Sequence, residues 1–233
     1  MITLYQFATS PFTEKVRRAL VYKGIPFEVV DVVRADVPQG KYLDISATGK
    51  FPALVHEGKS IWDSTDMLEY LEAAFPTPSL YPADPREAGL AHAIEEWADE
   101  SLYFYEMTAR LSWEHNLERG LDEFSKTMPG VPREALRTNI LTAVTALVKT
   151  QGLGRKPYEQ IVADINRHFR SLDKMLHGRD WLVGDSLSAA DLAVIAQLNA
   201  LFYADEAHVA LEQTTHIKAW LARVDAVAPR TAK

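Results

Sequence analysis

The spacing of apolar positions changes character near residue 76. Before it, short runs alternate. "ITLYQF" (2–7) reads as a strand, 11–23 as an amphipathic helix stopped by Gly24, and "FEVVDVV" (27–33), rich in β-branched residues, as a second strand. "ALVHEGKSIW" reads as a hairpin turning at Glu57-Gly58, and "STDMLEYLEAAF" as a helix with Met67, Leu68, Leu71 and Phe75 on one stripe. Strand, helix, strand, hairpin and helix make a small mixed α/β unit. "PTPSLYPADP" follows, and its four prolines (Pro76, Pro78, Pro82, Pro85) suit neither a helix nor a central strand, so it reads as a stiff linker.

Everything after the linker has helical period. Arg86 to about Glu118 reads as one long helix, and the stripe Leu136, Ile140, Val144, Leu147, Val148 ends at Gly152. Ile161, Val162, Ile165, Phe169, Leu172 and Leu176 mark a further helix. Leu192 to Tyr203 is apolar nearly all round, which places it at the centre of a bundle, and Ile217, Trp220, Leu221 and Val224 close the chain. The predicted division is 1–78, a linker 79–85, and an all-helical part 86–233.

Composition narrows the function. Hydrophobic residues are 47% and charged residues 24% of the 233, so a core is available and disorder is expected only in the polar tail 228–233. The net charge of −7 argues against a nucleic-acid partner, and the local cluster Lys15, Arg17, Arg18 reads as a solvated helix face. The longest apolar stretch, 192–204, contains Gln197 and Asn199 and falls short of the about 20 residues a membrane span needs. The start of the chain lacks the pattern of a signal peptide, so a cytoplasmic protein without a membrane anchor is expected. There is no cysteine, which excludes disulfides and any mechanism in which the protein supplies the thiol. The seven histidines are scattered without ligand spacing, so no metal is expected.

Three local features carry chemistry, each with a structural alternative. In "ATSPFTEKVRRAL", Pro11 suits the first helical position and Ser10 the N-cap; the same terminus, with its unpaired amides, favours an anion such as a thiolate. In "TGKFPALV", a cis Phe51–Pro52 bond leaves the Phe51 backbone free at a sheet rim, where an extended peptide can pair with it; a trans edge-strand start is the alternative. In "IWDSTDM", Asp63 or Ser64 caps a helix whose first amides make a second anion site.

Taken in order, Ser-Pro before a "KVR" helix, "GKFPAL", "DS" opening a helix, a proline linker and a helical domain resemble the glutathione transferase superfamily. "GDSLSAADLAV" resembles that family's capping signature, with Ser188 and Asp191 as a structural capping box. The resemblance implies a thioredoxin-like α/β domain followed by an all-α domain, a homodimer, and a detoxifying reaction of glutathione with a small, apolar electrophile. By position, Ser10 resembles the activating serine. Phe51 with Pro52 resembles the pair that holds the cysteinyl part of glutathione, Lys50 the lysine near its glycine carboxylate, and Asp63 with Ser64 the pair at its γ-glutamyl end. Phe12 resembles a residue lining the sulfur. The first long helix offers Tyr103, Tyr105, Arg110 and Trp113, and a later one Tyr203, to an electrophile, although core contacts account for most such aromatics.

There are departures. "SATGKFP" lacks the usual Asn-Pro, Asp63 is one methylene shorter than the common glutamate, and the helical stretch 119–160 is longer than typical. Within it "QGLGRKPYEQI" resembles a segment of the metaxin and failed-axon-connections branch, which implies a non-enzymatic binding or scaffold protein as the alternative function.

Overall fold

The structure, a computed structural model, describes residues 1–230. A four-stranded sheet in the order β2-β1-β3-β4 is formed by β1 (Ile2–Gln6), β2 (Phe27–Asp31), β3 (Ala53–His56) and β4 (Lys59–Ile61). Helix α1 (Pro11–Tyr22) carries the chain back across the sheet, so β2 lies parallel to β1; β3 and β4 pair antiparallel. Glu57 (φ 50°) and Gly58 (φ 78°) are both left-handed, the backbone that a two-residue hairpin turn needs. Helix α2 (Ser64–Ala74) buries Met67, Leu68 and Leu71 and completes a thioredoxin-like domain.

The second domain is helical. Helix α3 (Pro85–Trp97), capped by Asp84, runs through a π-helical turn (Ala98–Leu102) into α4 (Tyr103–Met107) and a second π turn (Thr108–Ser112). The single helix expected to reach Glu118 stops at Trp113, whose backbone is extended (φ −95°, ψ 116°). The hydroxyls of Thr108 and Ser112 donate to the carbonyls of Phe104 and Thr108, each at 2.7 Å, a back-bonding that bends helices. Then come α5 (Glu114–Lys126), α6 (Arg133–Gln151) with its stop at Gly152 (φ 117°), α7 (Tyr158–Met175), the central α8 (Ala189–Leu201), a short α9 (Asp205–Glu212) that the apolar pattern did not signal, and α10 (Ile217–Val227). Among the described residues no helix is long and apolar enough to cross a membrane.

The basic cluster of α1 is not a solvated face. Lys15 and Arg18 are each 1% exposed, because α1 packs on α8 and meets carboxylates from the helical domain. Lys15 Nζ reaches both Glu95 and Asp99. Arg18 pairs with Glu14 (2.9 Å) and Asp225 (2.8 Å) and donates to the Ala228 carbonyl (2.6 Å). Asn199 of α8 donates to Glu14 at 2.6 Å. The cluster is the seam between the domains. It also holds the tail expected to be disordered as far as Arg230, whose Nε lies 2.9 Å from Glu14; residues 231–233 lie outside the described residues.

The proline-rich segment is likewise tied down. Leu80 is fully buried and its carbonyl accepts from the Ala189 N–H at 2.8 Å, while Lys23 Nζ donates to the carbonyls of Phe75 and Pro78, each at 2.7 Å. The Thr77–Pro78 bond is cis, as is Phe51–Pro52.

Candidate functional site at the domain interface

Between the sheet domain and the helix that follows the linker lies a cavity of about 600 Å³, within the roughly 300–1,000 Å³ of small-molecule sites. The seven residues picked out in the sheet domain share it: Ser10 and Phe12 from the start of α1, Lys50, Phe51 and Pro52 before β3, and Asp63 and Ser64 at the start of α2.

Ser10 has extended backbone (φ −80°, ψ 130°), and its side chain makes no capping bond to α1. Its N–H donates to the Phe7 carbonyl at 2.9 Å and its own carbonyl accepts from Glu14 N–H at 3.1 Å. The backbone is therefore fixed while the hydroxyl is left for a ligand at the positive end of the helix. Across the cavity the β1–β3 ladder ends at Tyr5 and Ala53, leaving the Phe51 backbone outside it. The Phe51 ring is anchored beneath, 5.3 Å from the ring of Phe7 and 5.7 Å from that of Tyr42. Lys50 is exposed, and its carbonyl accepts from Ser46 Oγ at 2.8 Å.

At α2 the Asp63 carboxylate caps the helix, accepting from the N–H groups of Thr65 (2.9 Å) and Asp66 (3.4 Å). It therefore occupies two amides of the predicted anion site, and the Ser64 N–H is the first-turn amide it does not take. Ser64 Oγ lies 3.5 Å from Asp99, and Thr65 Oγ1 donates to Glu95 at 2.8 Å. Burial pushes the Asp99 carboxyl up to about 6, with Lys15 pulling the other way and Glu95 adding to the rise. Asp99 Oδ1 is buried without a partner among the described residues. Glu96 and Glu100 line the same end of the cavity, which is acidic.

The opposite end is apolar and basic. Phe12 packs 4.9 Å from Tyr103, and Phe7, Met107, Leu111 and Phe124 complete the wall, with Arg34 and Arg110 among them. Arg110 Nη2 donates to Glu106 at 3.0 Å, while its Nε lies 2.9 Å from the other oxygen at an angle too poor for a hydrogen bond. Both groups are buried. Burial pushes the Glu106 carboxyl up to about 7, against the pull of Arg110.

A raised carboxyl binds its proton more tightly folded than unfolded, so its contribution is full below about pH 4.5 and is lost as pH rises through about 7. Thermal stability is therefore expected to fall between pH 5 and 8, by roughly 2–3 kcal/mol from this group. Glu106→Gln should flatten that part of the profile; an unchanged slope in the variant rules out Glu106 as its source.

Sequence reasoning missed Arg34, Phe7, Phe124 and Asp99. Arg34 follows β2 in a segment without pattern, and Phe124 lies in the longer helical stretch. Asp99 and Arg110 each fall in a π turn, where the helix departs from the 3.6 period used to assign faces, and π turns recur at functional sites. Of the aromatic candidates, Tyr103 lines the cavity. Tyr105 donates instead to Asp164 (3.1 Å), Trp113 packs on Tyr158 (4.7 Å), and Tyr203 donates to Glu123 (2.6 Å).

Two family models match this chain, the glutathione S-transferase N-terminal domain over residues 4–79 and the glutathione S-transferase C-terminal domain over residues 138–226. The chain belongs to the glutathione S-transferase superfamily. As a member it is similar to Protein LigF of Sphingobium sp. strain SYK-6, 28% identical over 97% of this chain and 90% of LigF. It is also similar to FtsZ-localized protein A of Caulobacter vibrioides, 26% identical over 86% of this chain and 77% of that protein. A glutathione S-transferase crystal structure from Rhodospirillum rubrum superposes with a TM-score of 0.67 at 25% identity, covering 97% of this transferase-fold chain and 88% of that one.

Proposed function

We propose that this member of the superfamily is a glutathione transferase that adds the sulfur of glutathione to a small, apolar electrophile. The observation that carries the reading is the Ser10 hydroxyl, which makes no capping bond yet opens α1 on the cavity that the Phe51 backbone also faces. Glutathione is extended, with a carboxylate at each end. In this reading its cysteinyl backbone pairs with Phe51 beside Pro52, its glycine carboxylate meets Lys50, and its γ-glutamyl carboxylate meets Ser64 at the start of α2. Asp63 acts there through the cap it makes, and the γ-glutamyl ammonium faces Asp99. Ser10 donates to the sulfur and Phe12 shields it.

The thiol proton passes to water, the sulfur–carbon bond forms, and the displaced group leaves with the bonding pair; with an epoxide the ring oxygen takes that pair and then a proton. Ser10 is thus a donor to the nucleophile, not the nucleophile itself. The reading takes 1–78 as the glutathione-binding unit and 86–233 as the helical unit, in a cytoplasmic homodimer.

A second reading, a binding protein that keeps the fold without turnover, draws on the similarity to FtsZ-localized protein A. Retention on immobilised glutathione followed by a panel of aryl halides and epoxides separates the two. Retention with turnover is the expected result. Retention without turnover favours the binding protein, and no retention at millimolar glutathione ends the transferase reading.

A further inference from the structure

The apolar end of the cavity holds a charge that no carboxylate among the described residues pairs with. Arg34 opens a single 3₁₀ turn (Arg34–Asp36) after β2, and its backbone N–H reaches the Thr127 carbonyl beyond α5 at 3.4 Å, so it is held by both domains. Its guanidinium lies 3.7 Å over the Phe7 ring and 5.9 Å from the Phe124 ring. Arg34 is half-buried, and stacking on rings offsets part of the cost of taking a cation out of water but does not neutralise it. Its Nε is buried without a hydrogen-bond partner among the described residues. Among the described residues the charges acting on it are Arg110, which opposes its own, and Tyr103, with no carboxylate, and burial brings it down to about 10. Arg110 is held by its contacts with Glu106.

Arginine does not shed its proton near neutral pH, so the excess charge persists in the cavity. It sits in a chain of net charge −7 and is therefore local, not one face of a generally basic surface. A guanidinium stacked on a ring keeps its in-plane N–H edge for a planar anion, and a carboxylate matches that fork. The neighbouring wall, Phe12, Tyr103, Met107, Leu111 and Phe124, suits a flat apolar body.

We infer that the electrophile this cavity takes is an aromatic carboxylate, with its ring against Phe12, Tyr103 and Phe124 and its carboxylate on Arg34. This corrects the wholly apolar second substrate of the transferase reading to one with an apolar body and one anionic edge, and it rests on that reading. A carboxylate could also come from glutathione itself, through its glycine end, and the test separates the two.

The probes are 4-chloro-3,5-dinitrobenzoate and its methyl ester, which share ring and leaving group, each rate normalised to its uncatalysed reaction. The full chain should prefer the benzoate by about tenfold or more in kcat/KM, the scale of one charge-assisted contact. Arg34→Met keeps an apolar stem and should bring the ratio to about one, with the loss in KM for the benzoate rather than KM for glutathione. Arg34→Lys, with charge but no fork, should fall between. Equal or ester-favouring rates in the unmodified protein overturn the inference, whether or not the variants fold. A normal ratio in Arg34→Met with a raised KM for glutathione also overturns it and gives Arg34 to the glycine carboxylate. If neither compound is turned over, the wider panel of electrophiles decides the transferase reading separately. Calorimetry with unreactive 3,5-dinitrobenzoate and its methyl ester then decides the anion preference alone, by the same comparison with Arg34→Met.

Discussion

Asp191→Ala is expected to cost about 3–5 kcal/mol of stability, the upper end for single substitutions, because it breaks a buried hydrogen-bond network. Asp191 is fully buried and accepts the N–H of Leu182 (2.9 Å), the N–H and hydroxyl of Ser188 (both 2.9 Å), and the indole N–H of Trp220 (2.8 Å). These donors come from three places: the stretch before α8, the cap of α8, and α10. Alanine leaves all four without an acceptor in a dry core, and each orphaned donor costs about 1–3 kcal/mol before relaxation. Ser188→Ala should cost less, about 1 kcal/mol, because Asp191 keeps its other partners. Asp191→Asn keeps one acceptor oxygen and should fall between. Urea unfolding of the three variants checks the order. A loss under about 1 kcal/mol in Asp191→Ala means that the core rearranges around the site and the carboxylate is not its hub.

The architecture was legible because it rests on local requirements. Apolar period separated strands from helices, Gly24 and Gly152 stopped α1 and α6, and Glu57-Gly58 marked the hairpin turn. Of the seven residues of the sheet domain that share the cavity, Ser10, Phe51, Pro52, Asp63 and Ser64 were marked locally, by a proline after the first strand, a proline before the third and a capping aspartate, while Phe12 and Lys50 came from the family resemblance. What was not legible depended on distant partners. Lys15 and Arg18 look like a solvated face until Glu95 and Asp99, 80 and 84 positions beyond Lys15, are brought against the same helix. No window of sequence contains that pairing. Trp113 ends a helix without glycine or proline nearby, through hydroxyl back-bonds whose effect composition does not show. At the basic end of the cavity Arg110 was among the candidates the first long helix offered, but Arg34 and Phe124, drawn from both domains to meet it, belong to no motif.

Ser10→Ala is expected to raise the pH at which bound glutathione shows its thiolate absorbance by about 1–2 pH units, the equivalent of the ~1.5–3 kcal/mol that a hydrogen bond to a charged sulfur supplies. A free thiol near 8.5 needs ~2.7 kcal/mol in favour of the anion to titrate near 6.5. The terminus of α1 contributes ~0.3–2 kcal/mol of that, so removing the hydroxyl leaves the site short without leaving it bare. Turnover at pH 6.5 should then drop about 5- to 50-fold and recover toward the unmodified rate near pH 9, where the thiol ionises unaided. Affinity for glutathione should change little, since Lys50, the Phe51 backbone and Ser64 hold the rest of the tripeptide in the proposed pose. Stability should change little as well, because the hydroxyl makes no capping bond for alanine to break. The two roles open to a serine before Pro11 thus predict opposite pairs of results. A displaced titration at constant melting temperature fits a donor to sulfur. A lowered melting temperature with the titration unmoved fits a helix cap, and it would remove the activating group from the proposed mechanism.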